Sequence, residues 1–298
     1  METSEVFNQY VERINGGGTL SADEVRALAA SPDILALGML ADAAKRRLHG
    51  RRVTYLRVSA SAFDADPVVL PAAGELRLTG TPASLNDALR SVARARAAAG
   101  RRTLSGFAWS DIEQIGGSDL TGALEQLRGS GLDAIAHLPL DATADVAAAL
   151  EHLATAGFQQ ARLTIQQAPA GDRAGLLLCA AALRARFPLV KAINPLPLAL
   201  SAFRPTTGYD DVKMVALARL AAPGIGRVQV DWARYGPKLA QVALSFGADD
   251  LDNVSAADEA PEGRRRAPLE EIRRNIEAAG FEAVERDGRF GIAGRGPQ

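Results

Sequence analysis

Along the chain, the spacing of apolar and polar positions changes near residue 51. Before it the apolar residues recur at helical intervals, and start signals mark the helices. "SADE" (21–24) is a capping box, Ser21 and Glu24 each satisfying a free backbone donor. "SPD" (31–33) predicts a cap at Ser31 with Pro32 in the first helical position. "NGGG" (15–18) reads as a turn between helices rather than a phosphate loop, because no strand precedes it and no Lys-Ser/Thr follows. From residue 51 short strand-like runs alternate with longer helical ones: "RVTYLRVS" (52–59), "ELRLTG" (75–80), "RTLSGFAW" (102–109), "LDAIAHLPL" (132–140), "ARLTIQQ" (161–167), "LVKAINPLPL" (189–198), "RVQVDWAR" (227–234) and "ADDLDN" (248–253).

Alternating strands and helices imply parallel pairing with helical crossovers. Eight such units suit a (β/α)8 TIM-type barrel. A doubly wound open sheet competes with it, but no strand–GxGxxG–helix fingerprint favours that fold. The expected α/β organisation is N-terminal helices over 1–50, the barrel over 51–254, and an extension over 255–298. In the extension, 260–290 reads as a loop, an amphipathic helix and a short strand or hairpin, with a tight turn at Asp287-Gly288.

Composition narrows the function classes. The net charge of −1 provides no field to attract nucleic acid or an anionic membrane. The basic runs "KRRLHGRR" (45–52) and "GRRR" (263–266) read as solvated helix ends or loops. No signal pattern and no membrane-length apolar run is found, so the expected location is cytoplasmic. Cys179 is the single cysteine and sits in an apolar helical run, which predicts a buried, inert thiol. One cysteine and three histidines make a multi-ligand metal site improbable, so no metal is expected.

In such barrels chemistry gathers at the carboxyl ends of the strands. The candidate acid/base residues are His137, Asp231, Asp249 and Asp250, and the candidates for holding substrate are Arg57, Trp232, Arg234, Asp249 and Asp250. Each has a structural alternative: a strand-end Asp is commonly a cap, and a lone strand His is commonly a hydrogen-bonded structural residue. Side-chain alternation turns Asp249 and Asp250 to opposite faces, and pairing with arginine stands beside ligand binding as their role. This polar, partly aromatic set suits a small polar ligand.

Three stretches, "LALGMLADAAKRRLHGRRVTYLR" (35–57), "FRPTTGYDDVKMVALARL" (203–220) and "GPKLAQVALSFGADDLDN" (236–253), resemble the radical S-adenosylmethionine enzymes of the futalosine route to menaquinone. Aminofutalosine synthase, the dehypoxanthine futalosine cyclase and the deazaflavin synthase subunits are the relatives concerned. The resemblance implies a radical-enzyme barrel whose acidic eighth-strand segment lies at the mouth, Asp249 and Asp250 holding hydroxyls or a basic partner such as Arg234. It also implies a Cys-x3-Cys-x2-Cys motif after the first strand, binding a [4Fe–4S] cluster. Here that place reads "VSASAFDADPVVLPAAGELRL" (58–78), without cysteine, and Ser59, Ser61 and Asp64 are no substitutes for thiolates. The glycine pair expected after the second strand is reduced to "LTGTP" (78–82). Loop 59–74 is expected to fold over the mouth through Phe63, Val68, Val69 and Leu70.

The expectation is therefore a cluster-free relative of aminofutalosine synthase, without S-adenosylmethionine binding, serving menaquinone biosynthesis as a pseudoenzyme that binds a ligand or a partner. Its ligand would be nucleoside-like or an aromatic carboxylate. Its partner would be an intact radical-enzyme paralogue or a second copy of the chain. The alternatives are a non-radical lyase, hydrolase or isomerase on such a substrate, and a structural subunit of the paralogue.

Overall fold

In a computed structural model of the chain, residues 2–167, 172–199, 206–260, 262 and 266–293 are described, without the side chains of 2–5. Eight parallel strands close into a barrel: β1 (Arg52–Ala62), β2 (Glu75–Thr79), β3 (Thr103–Ala108), β4 (Ala134–Pro139), β5 (Ala161–Ile165), β6 (Val190–Pro197), β7 (Arg227–Asp231) and β8 (Asp250–Ser255). They pair in chain order, and β1 meets both β8 and β2. All eight strand-like runs become strands, and the (β/α)8 barrel is the fold. Among the described residues no helix is long and apolar enough to cross a membrane.

Three helices precede the barrel: α1 (Glu2–Asn15), α2 (Ala22–Ala30) and α3 (Ile34–His49). The crossover helices are α4 (Leu85–Ala99), α5 (Trp109–Gly116), α6 (Leu120–Gly129), α7 (Val146–Thr155), α8 (Arg173–Arg186), α9 (Gly208–Ala221) and α10 (Trp232–Ser245, kinked at Gly236-Pro237). They are followed by α11 (Pro268–Ala278) and a short strand, β9 (Glu282–Glu285). The α2 capping box forms as expected. The cap of α3 is a correction: Asp33 fills it, accepting from Ala36 N at 2.9 Å, and Ser31 instead accepts from Asp33 N at 3.1 Å. An ionised carboxylate is the stronger acceptor for a helix's free donors.

Each crossover from β2 onward carries at least one helix, but the connection from β1 to β2 is a bare loop, 63–74. Leu70 N binds Ser59 Oγ at 3.0 Å, Arg102 Nε and Nη2 hold the carbonyls of Ala73 and Pro71 at 2.9 Å each, and Gly74 N reaches Arg57 O at 2.9 Å. The loop brings the chain back to the amino end of β2, and on the way Val68 and Leu70 line one groove with Trp232. Phe63 packs against Gly80, its carbonyl bound by Ser91 of α4. Val68 stays two-thirds exposed.

The lower half of β1 takes a different neighbour on that edge. β9 pairs with Arg52–Tyr55, while β2 pairs with Val58–Ala62, so β9 extends the line of β2 towards the amino end of the barrel. The chain then turns inward at Arg286, and an Arg286–Ile292 bridge closes a hairpin. Gln160 Nε2 donates to Gly288 O at 3.0 Å, which ties the hairpin to the barrel's amino end. A β-carbon on Gly288 would lie 2.5 Å from Thr103 Cβ and 3.0 Å from Glu75 Oε2. Gly288→Ala is therefore expected to destabilise the fold by about 1–3 kcal/mol, the usual cost of overpacking, measured by urea unfolding.

One buried-thiol expectation is overturned. The inward face of α8 is Ala174, Leu177, Ala180 and Leu183, and Cys179 is exposed between those positions. Leu176 and Leu178 are half-buried, so α8 is apolar on more than one face and composition alone did not reveal its phase.

Candidate functional site

The outward faces of the strands supply the apolar core, with Val53, Leu76, Leu104, Leu163, Ile193, Val228 and Leu251 fully buried. The inward faces carry charge, whereas barrels of this type more often fill their interior with Val, Ile and Leu. Alternation turns Glu75 and Arg77 of β2, Arg162 of β5, and Asp250 and Asp252 of β8 into one interior, and Arg286 enters from below. Arg77 holds both oxygens of Asp252 at 3.0 and 3.2 Å and Glu75 Oε1 at 2.8 Å. Arg286 grips Asp250 bidentately at 2.6 and 2.7 Å, and Thr54 Oγ1 and Gln229 Nε2 complete that carboxylate at 2.5 and 2.6 Å. Three guanidiniums thus face three carboxylates inside the barrel. Burial alone would raise the Asp252 carboxyl, but Arg162, Arg77 and Arg286 outweigh it and hold it well below the usual carboxylate range.

Asp249 points the other way, as alternation requires. Outside the strands it is saturated by Arg219 Nη2, by Arg227 Nη1 at 2.7 Å and by Val228 N at 2.9 Å, with His49 Nε2 at 3.3 Å. Burial would raise its pKa, and Arg219, His49 and Arg227 together lower it instead. The placement of Asp249 and Asp250 at the mouth is thereby corrected. They open β8 beside Thr54 and Gln229, at the amino end of the barrel, and arginines already occupy them. Arg57 is corrected as well: it points outward to Glu285 at 2.7 Å and Asp258 at 3.4 Å.

The remaining candidates gather at the other end. Asp231 ends β7, caps Arg234 N at 3.0 Å and accepts from Asn253 Nδ2 at 3.1 and 3.2 Å. Burial and the nearby Asp252 raise its pKa. Asn253 sits at φ 60° within β8, where the pairing with β1 shifts register. Arg234 donates to Leu198 O. Trp232 helps to line a groove of about 540 Å³ with Ser59, Val68, Leu70, Asn253 and Glu271. His137 lies deep among protein atoms yet keeps partial solvent access. Burial, with Arg77 and Arg162 close by, pushes its pKa down to about 3, so at neutral pH it is an uncharged acceptor or donor.

The structure adds residues that sequence reasoning passed over. Arg162 is His137's register neighbour, since Leu138 pairs with Leu163, and Thr164 follows two positions on, on the same inward face. Arg162 Nε and Nη1, Thr164 Oγ1 and His137 Nδ1 are buried without a hydrogen-bond partner among the described residues. Phe107, at the end of β3, has φ 62°, a strained backbone for an aromatic residue of the kind that clusters at functional sites. The available signal was a charged residue inside an otherwise apolar strand, as in "ELRLT" and "ARLTI".

Residues 199–294 match the CofH/MqnC C-terminal region. Through this segment the chain is similar to proteins of the CofH/MqnC type. It is 39% identical over 94 residues to the 5-amino-6-(D-ribitylamino)uracil–L-tyrosine 4-hydroxyphenyl transferase of Archaeoglobus fulgidus, covering 29% of this chain and 27% of that protein. It is 34% identical over 93 residues to the aminodeoxyfutalosine synthase of Thermus thermophilus, covering 28% of this chain and 24% of that protein. The matched part thus spans about a quarter of these relatives' length. The fold matches methylornithine synthase (PylB) with TM-score 0.65 at 12% identity, over 92% of this chain and 97% of that one. It also matches the FeFe-hydrogenase maturase HydG from Carboxydothermus hydrogenoformans, again at 0.65, with 13% identity over 95% and 80%. At such identities the likeness establishes the fold alone.

The iron–sulfur cluster implied by the resemblance needs thiolates just after β1. Loop 63–74 holds none, Ser59 Oγ is engaged by Leu70 N, and Cys179 is exposed on α8. The donor set does not fit the group.

Proposed function

We propose that the chain is a cluster-free relative of aminofutalosine synthase, associated with menaquinone biosynthesis, that binds a small polar ligand in the upper barrel. The observation that carries this reading is the first crossover. In it a helix-less loop without a single thiol stands where the cluster would be held, while the barrel above the ionic network keeps unpaired polar groups. Relics with no ligand have no reason to leave buried donors unmatched, since each costs about 1–3 kcal/mol. The link to menaquinone rests on the aminodeoxyfutalosine synthase relative, and Asp231, Arg234 and Trp232 remain the candidate contacts at the mouth.

Anaerobic reconstitution with iron and sulfide tests the reading. The protein is expected to retain neither in cluster stoichiometry, to show no charge-transfer absorbance, and to gain no thermal stability from S-adenosylmethionine. A stoichiometric cluster, or stabilisation by that compound, would return the chain to radical chemistry. A stable complex with an intact paralogue in the absence of any small-ligand binding would make it a structural subunit.

A further inference from the structure

Arg162 makes no hydrogen bond to a carboxylate among the described residues. Its nearest carboxylate oxygens, Asp252 Oδ2 and Glu75 Oε2, lie at 3.4 and 3.8 Å. Arg77 takes both oxygens of Asp252, and Arg77 and Ser105 take Glu75 Oε1, the latter at 2.6 Å, while Glu75 Oε2 has no hydrogen bond among the described residues. The guanidinium is more than nine-tenths buried, and Nε and Nη1 have no hydrogen-bond partner among the described residues, Nη1 keeping only its ion pair to Asp252. Thr164 Oγ1, fully buried, and His137 Nδ1 are unpaired on the same inward surface of β4 and β5. Burial and the neighbouring Arg77 and Arg286 depress the Arg162 pKa, which Asp252 and Glu75 only partly offset.

We propose that Arg162, Thr164 and His137 form a binding site for the carboxylate of a small monoanionic ligand. The inference rests on the reading of the upper barrel as a ligand site and names the chemistry of that ligand. Arg162 and Thr164 donate to the carboxylate, and the neutral His137 donates from Nδ1 to the same group or accepts from a neighbouring hydroxyl. A monoanion fits because the three guanidiniums already face three carboxylates, so the unpaired donors of Arg162 and Thr164 can hold one carboxylate and no larger charge. A dianion such as a phosphate monoester would leave a second buried charge facing Asp252 and Glu75 without compensation.

The test is isothermal titration of the full chain with acetate, benzoate and, at pH 8, inorganic phosphate, at constant ionic strength. At least one carboxylate is expected to bind and phosphate is not. Arg162→Gln should weaken carboxylate binding about ten- to a hundredfold, the usual result of removing a charge-assisted hydrogen bond. Thr164→Val keeps the shape, and it should weaken binding by about three- to tenfold through loss of the hydroxyl donor. It carries the test if circular dichroism shows that Arg162→Gln does not fold. Arg289→Gln, on the exposed surface, should change nothing. Failure of both carboxylates to bind overturns the site, as does equal affinity in Thr164→Val and the parent, or phosphate binding as tightly as carboxylate. An iron–sulfur cluster found on reconstitution would end the cluster-free reading and leave this subsite standing. Loss of carboxylate binding without a cluster would end the subsite alone.

Discussion

Asp250→Ala is expected to remove about 3–5 kcal/mol of stability, the range for breaking one side of a buried ion pair. Asp250 is fully buried and accepts from Arg286, Thr54 and Gln229. Without it the Arg286 guanidinium keeps only Asp252 at 3.6 Å as a carboxylate partner among the described residues. Domains of ordinary stability have about 5–15 kcal/mol in total, so this one change takes a large share. It also frees the hairpin at 286–292, because Arg286 is its anchor inside the barrel, and limited proteolysis should cut there first. Asp23→Ala is the control: its pair with Arg26 has side-chain exposures of 97% and 53%, and its loss should fall within about 0.5 kcal/mol. A loss below about 1 kcal/mol for Asp250→Ala in urea unfolding would mean that water reaches the lower barrel and solvates Arg286.

The network explains why the fold was more legible than the site. Strand positions follow from local patterning, since each outward face must be apolar against a helix; runs such as "RVTYLRVS" and "ARLTIQQ" announce themselves. The inward face of a closed barrel is chosen by residues far apart in sequence: Glu75 meets Arg162, and Asp250 meets Arg286. No local spacing encodes those pairs. The eighth strand shows the limit most clearly. Its acids were expected at the mouth, but Asn253 adopts φ 60° and the strand runs on to Ser255, which leaves Asp249 and Asp250 at its start. Arg57 was decipherable from alternation, because it differs in parity from Thr54, which faces Asp250. The missing first crossover helix was also visible, as Asp64, Asp66, Pro67, Pro71 and Gly74 interrupt any helical repeat in loop 63–74.

Acid should unfold the protein in two stages, the first of them set by histidine. An unfolded histidine takes a proton near pH 6.5, whereas folded His137 resists until about pH 3. Between those values the unfolded chain binds more protons, so stability falls as the pH falls, and the contribution is fully present only above the unfolded value. The loss through His137 is about 2 kcal/mol from pH 6.5 to 5 and about 4 kcal/mol by pH 3. Arg77, Arg162 and Arg234 oppose its protonation, and Asp252 favours it. His49 is lowered too, chiefly by burial, and adds a slope of the same sign. The second stage belongs to Asp249 and Asp252, whose folded pKa values lie below the unfolded one, so their stabilisation holds above about pH 4 and is lost below it. Urea midpoints at pH 7.5, 6, 5, 4, 3 and 2 measure both stages. His137→Gln should flatten most of the slope between pH 6.5 and 5 and leave the limb below pH 4 in place. An unchanged slope in that variant would show that His137 protonates freely, with water rather than protein around its ring.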